Sequence, residues 1–424
     1  MSVRFISHSG ATAGEANAHA LSSQEGTILF DCGAGGGSAD YLEELERPDA
    51  IWISHAHGDH CGALLDVVAR WPRVPVLATA TTRRLLEFAL TTGSSTKARA
   101  AAVARRVEPV AMQRFMAVPG LDDARIMALP AGHVPGAAMA VVEYGREDDG
   151  VVRVLYTGDF CTHDQAVVEG AGIPRRDGGF AFDAVVSEAM LATDETADRV
   201  VWSDEADAVV EAVDEAQGPV LVGVTAIGES VEVAALLEES GVSMVVDDYL
   251  TPVFEACTGG PSVDSPHLTF GGRRRLAQAL DGGGIVIASG DQLRASTTAG
   301  KLVDRIVGDE TATVVVLNRA RRHTPAGALV GGRRGADITW RGGRRTLEAR
   351  VVHRRLINHA PRWQLMGFIE GVGAETTLLV HGSDGARWSL KRALAKQGYD
   401  GEVEVADDGQ PIIVRTTEGP EGTE

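Results

Sequence analysis

Short apolar runs recur along the first part of the chain, and each is closed by a polar residue and a turn. VRFIS (3–7), TILFD (27–31), AIWIS (50–54), VLYTGD (154–159) and AVVSE (184–188) have the length and β-branched content of strands. Helix-period segments such as TTRRLLEFAL (81–90) lie between them, so strands and helices intermix as in a layered α/β protein. Polar and charged residues gather where the strands stop, and in such folds active sites collect on loops held by a rigid sheet. From about Thr193 the alternation becomes regular. DEADAVVEAVDEA (204–216) and ESVEVAALLEES (229–240) are helix-like, PVLVGV (219–224) and SMVVDD (243–248) strand-like, and together they make βαβ units. IVIASGD (285–291) and VVVLN (314–318) extend this pattern, whereas the Arg/Gly-rich stretch 319–345 reads as a loop. A helix near 361–370, the strand TTLLVHG (376–382) and a helix near 385–397 return to the character of the first unit. The tail TTEGPEGTE is expected to fray.

A chain of 424 residues can bury a large core and suggests two or three domains. Hydrophobic content of 44%, mean hydropathy near zero, no long apolar run and no basic-apolar leader predict a soluble, cytoplasmic protein without membrane contact. Cys32, Cys61, Cys161 and Cys257 are scattered without CxxC spacing, which indicates neither a disulfide framework nor a thiolate zinc site. The net charge of −19 argues against a nucleic-acid partner, but it is unevenly spread. Arg319 to Arg355 holds eleven arginines against Asp337 and Glu348, a net of +9 that leaves −28 on the other 387 residues.

The densest chemistry is in IWISHAHGDHCGAL (51–64), where three histidines and an aspartate fall within six residues. Chance would produce H-x-H-x-D-H on the order of 10⁻³ times in a chain of this composition. After a strand, His55 and His57 can face one way while Asp59 and His60, beyond Gly58, face another, which suits two adjacent metals. Imidazole and carboxylate without thiolate favour Zn²⁺ in sites left open to water. Further ligand candidates stand at other strand ends: His133 in PAGHVPGAA, Asp159 in YTGDF and His381 in LLVHGSDG.

With Asp31 in ILFDCG, Glu188 in VVSEAM and His359 in INHAP, these motifs form an ordered set over nearly the whole chain. The set resembles the metallo-β-lactamase-fold hydrolases, and within them the β-CASP nucleases that process mRNA 3′ ends. That resemblance implies an αββα sandwich formed by residues 1–193 and 351–424, with a βαβ-type β-CASP domain inserted at 194–350. It implies two Zn²⁺ per chain, one on His55, His57 and His133, the other on Asp59, His60 and His381, with Asp159 bridging them. Asp31 would stand behind a ligating histidine and fix its ring. Asp59, Glu188 and His359 would be the catalytic residues, with His359 protonating the leaving oxygen.

The implied reaction is hydrolysis of RNA, most naturally single-stranded. Arg319, Arg321, Arg322, Arg333, Arg334, Arg344 and Arg345 are candidate phosphate contacts, and a homodimer or a processing complex is the implied setting. Two other readings compete: a DNA-repair nuclease of the same branch, against which His381 speaks, and a weakly active or non-catalytic subunit of an RNA-processing complex. Three departures from the family pattern bear on substrate handling. Glu229 replaces an arginine in TAIGES; Ala189, Met190 and Leu191 replace Ser-Thr-Tyr; and Pro361 replaces an aspartate two residues after His359. The serines that usually precede this histidine are also missing from 355–358.

Overall fold

The computed structural model describes residues 2–10, 16–24, 26–35, 39–91, 97–145, 150–174, 181–259 and 265–415, so the tail TTEGPEGTE lies outside the described residues. The chain divides into two compact units. One comprises residues 1–163, 169–198 and 358–424, the other 164–168 and 199–357.

The first unit is an αββα sandwich. Among the described residues its first sheet runs, edge to edge, Pro411–Arg415, Ser2–Ser9, Ala18–Ser22, Thr27–Phe30, Ala50–Trp52, Val76–Ala78 and Val107–Pro109. Its second runs Glu402–Val405, Thr376–Leu379, Ala184–Ser187, Val152–Tyr156, Ala138–Tyr144, Ala124–Pro130 and Met116–Ala117. Phe5, Leu21, Ile28, Phe30 and Trp52 of the first sheet share one core with Ile126, Val142, Val154, Val186 and Leu378 of the second. Ala184–Ser187 is buried along its whole length, which requires cover on both faces, and the helix Arg362–Val372 packs against it. The helix Ala80–Thr91 covers the strand Val107–Pro109 of the first sheet.

Strand direction places the chemistry. Thr27–Phe30, Ala50–Trp52 and Val76–Ala78 are parallel, as are Val152–Tyr156, Ala184–Ser187 and Thr376–Leu379. Within each sheet the carboxyl ends of these strands therefore share an edge, and Asp31, His55, Asp159, Glu188 and His381 follow directly or within a few residues. Asp31 and His381 adopt left-handed backbone, φ 58° and 39°, at the first turn after their strands. Such strain outside glycine persists only where the surroundings over-determine it, as at functional sites.

The second unit has a parallel sheet in the order Leu268–Gly271, Met244–Asp247, Ile285–Ser289, Val220–Val224, Thr313–Leu317 and Arg350–Arg354. Leu221, Val286, Leu302 and Val314 lie in its core. The loop expected at 319–345 is corrected here. This stretch contains the helix Pro325–Val330 and a hairpin of Asp337–Trp340 with Gly343–Thr346. Ala326, Leu329, Ile338 and Trp340, dispersed among arginines, bury themselves in the core and order the segment. No helix among the described residues is long and apolar enough to cross a membrane.

Candidate metal centre

The HxHxDH loop is held by its backbone before its side chains do anything. Ile53 N donates to Leu77 O at 2.9 Å and continues the strand. His57 stands at the N-cap position of the single helical turn Gly58–Cys61, which carries Asp59 and His60, and the His60 ring comes to 4.1 Å from the His55 ring, centroid to centroid. Asn17 N donates to Asp59 O at 2.7 Å, Cys32 N to His60 O at 2.8 Å and Ala34 N to Gly58 O at 3.0 Å. That close approach requires glycine at 33, where a Cβ would fall 1.7 Å from Asp59 O.

Two donor groups result, and they share Asp159. One is His55, His57, His133 and Asp159; the other is Asp59, His60, Asp159 and His381. In the first, His55 Nε2 and His133 Nε2 each stand 3.1 Å from His57 Nδ1, and Asp159 Oδ2 lies 3.7 and 3.6 Å from the same two nitrogens. In the second, Asp159 Oδ2 is 3.2 Å from His60 Nε2, and Asp59 Oδ2 is 3.9 Å from His60 Nε2 and 3.8 Å from His381 Nε2. His381 Nδ1 meets Asp159 Oδ1 at 2.5 Å, while its Nε2 is buried with no hydrogen-bond partner. Converging imidazoles around an acidic centre, with one buried nitrogen unpaired, fit divalent cations and fit little else.

The far sides of the rings settle which nitrogens face inward. His133 Nδ1 pairs with Asn358 O at 2.8 Å, so it carries the proton and Nε2 keeps its lone pair. Asp31 is fully buried and accepts from Ser54 N, Ser54 Oγ, Tyr156 Oη and His60 Nδ1, each at 2.7 Å. Because Ser54 Oγ gives its proton to Asp31, it accepts from His55 Nδ1 at 3.0 Å. One carboxylate thus orients a ring in each donor group. Burial, reinforced by neighbouring rings, pushes His55 and His133 well below the usual histidine range. For His60 burial acts the same way, but Asp159, Asp31 and Asp59 outweigh it and hold the ring well above that range. Asp159 is opposed by its own burial, yet His381, His60 and His359 keep it well below the carboxylate range.

Glu188 and His359 stand beside these groups. Glu188 Oε1 accepts from Phe160 N at 2.8 Å, Oε2 from Met190 N at 3.2 Å, and His359 Nδ1 lies 3.1 and 3.2 Å from the two oxygens. His359 Nε2 then points to Asp159 Oδ2, 3.9 Å away. Burial alone would lower the His359 pKa, but Glu188 and then Asp159 raise it to about 9. The structure therefore brings together His55, His57, Asp59, His60, His133, Asp159, Glu188, His359 and His381, with Asp31 behind. The seven candidate arginines all lie in the second unit. Arg334 donates to Glu310 O, and Arg344 pairs with Asp337 at 3.7 Å.

Sequence reasoning missed Ser54, Tyr156 and Asn17. The first two lie inside the motifs IWISHAHGDHCGAL and YTGDF, which was the available signal. Of the departures, Glu229 is a buried staple, accepting from Thr225 N at 2.7 Å and Asn318 Nδ2 at 2.5 Å; burial and Asp291 raise its pKa to about 7. Pro361 is the residue before the helix Arg362–Val372, whose first amide donates to Asp198 Oδ1 at 2.9 Å.

Residues 11–161 match the metallo-beta-lactamase superfamily. The chain carries a metallo-β-lactamase domain. The chain is 33% identical over 146 residues to the uncharacterized protein sll0514 of Synechocystis, covering 34% of this chain and 24% of that protein. It is 25% identical over 239 residues to cleavage and polyadenylation specificity factor 73 of Drosophila melanogaster, covering 50% and 32% of the two chains. To endoribonuclease YSH1 of Yarrowia lipolytica it is 25% identical over 255 residues, covering 55% and 29%. These matches bear out the resemblance to the β-CASP processing nucleases, although the chain spans only a quarter to a third of the length of these curated relatives. A crystal structure of a protein of unknown function from Enterococcus faecalis V583 superimposes with a TM-score of 0.62, covering 97% of this chain and all of that one at 15% identity, which speaks for the fold alone.

Proposed function

We propose that this protein is a two-zinc ribonuclease that hydrolyses RNA phosphodiester bonds, with residues 194–350 as its inserted domain. The observation that carries this reading is the pair of donor groups joined at buried Asp159 with the Glu188–His359 pair alongside. Zinc suits imidazole and carboxylate donors, and burial pushes the nearby Cys32 and Cys61 thiols up, away from the thiolate form. Two such ions would supply an ionised water and compensate charge on the phosphoryl group.

The remaining tasks fall to the chain. His359, held by Glu188 through Nδ1, is charged at neutral pH and presents Nε2 to protonate the departing 3′ oxygen; a positioned general acid contributes about 10² to 10⁴ in rate. The arginines of 319–345 fit contacts to successive phosphates, a role that binds without reading sequence and weakens with salt. RNA is the favoured substrate because relatives matched over about half of this chain are named as endoribonucleases. Zinc analysis and cleavage of labelled single-stranded RNA test the proposal. Wild type should hold two zincs and cut RNA in preference to DNA, Asp59→Ala should lose one zinc and its activity, and His359→Ala should keep both zincs while slowing about 10² to 10⁴-fold. A zinc-depleted Asp59→Ala protein cutting at the wild-type rate would sink the mechanism.

A further inference from the structure

Asn17 is fully buried, and its side chain ends against the second donor group. Its Nδ2 lies 3.0 Å from His60 Nε2 and 3.4 Å from Asp59 O, and its Oδ1 has no hydrogen-bond partner. Since His60 Nδ1 keeps its proton for Asp31, Nε2 is the nitrogen left for a metal, and it is the one the Asn17 amide nitrogen faces. One lone pair cannot serve both an amide and a metal. When His60 Nε2 binds a metal, Asn17 is left as a buried amide facing the centre with only the long contact to Asp59 O. A buried polar group in that position is costly unless what binds there supplies its partner.

We propose that Asn17 is a substrate-side donor: its amide N–H, released by His60, bonds to a phosphoryl oxygen held at the Asp59, His60, Asp159 and His381 group. The inference rests on the two-metal reading above. Placement of the amide is independent of its side chain. Asn17 N donates to Asp59 O at 2.7 Å and Asn17 O accepts from Gly33 N at 2.9 Å, so the backbone is tied to the ligand loop on both sides. An N–H aimed where phosphate charge accumulates is the kind of preorganised donor whose loss lowers turnover.

The test uses full-length Asn17→Ala, with Asn17→Ser as a second variant that restores a smaller donor. Zinc affinity of each equivalent is measured by chelator competition, binding of inorganic phosphate to the zinc-loaded protein by calorimetry, and RNA cleavage in parallel. Asn17→Ala should keep both zincs, each bound about as tightly as in wild type. It should bind phosphate about 10-fold more weakly and cleave RNA about 10- to 100-fold more slowly, with partial recovery in Asn17→Ser. A second zinc bound 10-fold more weakly in both variants would instead make Asn17 Oδ1 a metal ligand and overturn the proposal. So would unchanged phosphate binding, or a zinc-loaded wild type that does not bind phosphate. Should the wild type bind phosphate but leave RNA intact, the ribonuclease reading fails while the phosphate comparison still decides Asn17.

Discussion

Asp31→Asn exchanges one acceptor oxygen for a donor nitrogen at constant volume, in a position where the carboxylate receives four hydrogen bonds. Oδ1 serves Ser54 N alone, and Oδ2 serves Ser54 Oγ, Tyr156 Oη and His60 Nδ1. The least damaging amide orientation turns NH2 toward Ser54 N and keeps the carbonyl for the other three. That leaves two buried donors facing each other unpaired, the Ser54 amide and the new NH2, at about 1–3 kcal/mol each, and converts three charge-assisted bonds to neutral ones of roughly half the strength. The combined loss is about 4–8 kcal/mol in folding stability. His60 also exchanges its carboxylate partner for a weaker, neutral carbonyl, and loss of such a partner typically lowers metal affinity about 10- to 100-fold. The two effects are separable by urea unfolding of chelator-treated protein and by zinc titration against a fluorescent chelator that resolves two equivalents. The equivalent held with His60 should weaken most, and the one held with His55 less, because Ser54 transmits only part of the change. Two zincs bound within about twofold of wild type, with unaltered unfolding, would refute the idea that Asp31 organises both donor groups.

The pH dependence follows from the ring environments. His359 must be protonated to act as an acid, and its pKa of about 9 is held up chiefly by Glu188 against the effect of burial; the rate should fall as pH rises through the upper limb. In Glu188→Gln that limb should move at least one unit toward lower pH, and a pH–rate profile with an unmoved limb would remove Glu188 from the role. Burial keeps His55 and His133 neutral, whereas Asp159, Asp31 and Asp59 favour a proton on His60, which a metal at the second donor group must displace. Lowering pH from 8 to 6 should therefore weaken the second equivalent by up to about tenfold per unit and the first by much less. Calorimetry in buffers of different ionisation enthalpy reads this directly, and equal proton release at both steps would contradict it.

Much of the centre was legible because its chemistry is concentrated in sequence or marked by strand ends. His55, His57, Asp59 and His60 fall in one hexapeptide, and Asp159, Glu188 and His381 close or follow apolar runs whose β-branched content already reads as strand. The strands Ala18–Ser22 and Ala138–Tyr144 escaped notice because each opens on two alanines in its first three residues, and alanine is a weak strand former. The hairpin at 337–346 was hidden for another reason: its buried Ile338 and Trp340 are too few among arginines to set a period. Support residues are harder still. Tyr156 reaches Asp31 across 125 positions, and nothing local to either residue announces the bond.

Pro361 shows what such distances mean for departures from a family pattern. With an aspartate absent there, the sequence suggests that His359 has lost support. In the structure His359 is aimed by Glu188, 171 residues away, and the next residue is fixed by Ala360 N donating to Phe160 O at 2.7 Å. Proline lacks the amide that would need a partner at the helix entrance. The first helical amide finds Asp198 Oδ1, and Arg362 Nε donates to Ala192 O at 2.6 Å. The substitution therefore falls on the capping of a helix, and that task has passed to a carboxylate brought in from another part of the same unit. A ligand set can be carried over position by position because coordination demands particular atoms. A supporting hydrogen bond demands only an acceptor in the right place, and the fold can deliver one from anywhere in the chain.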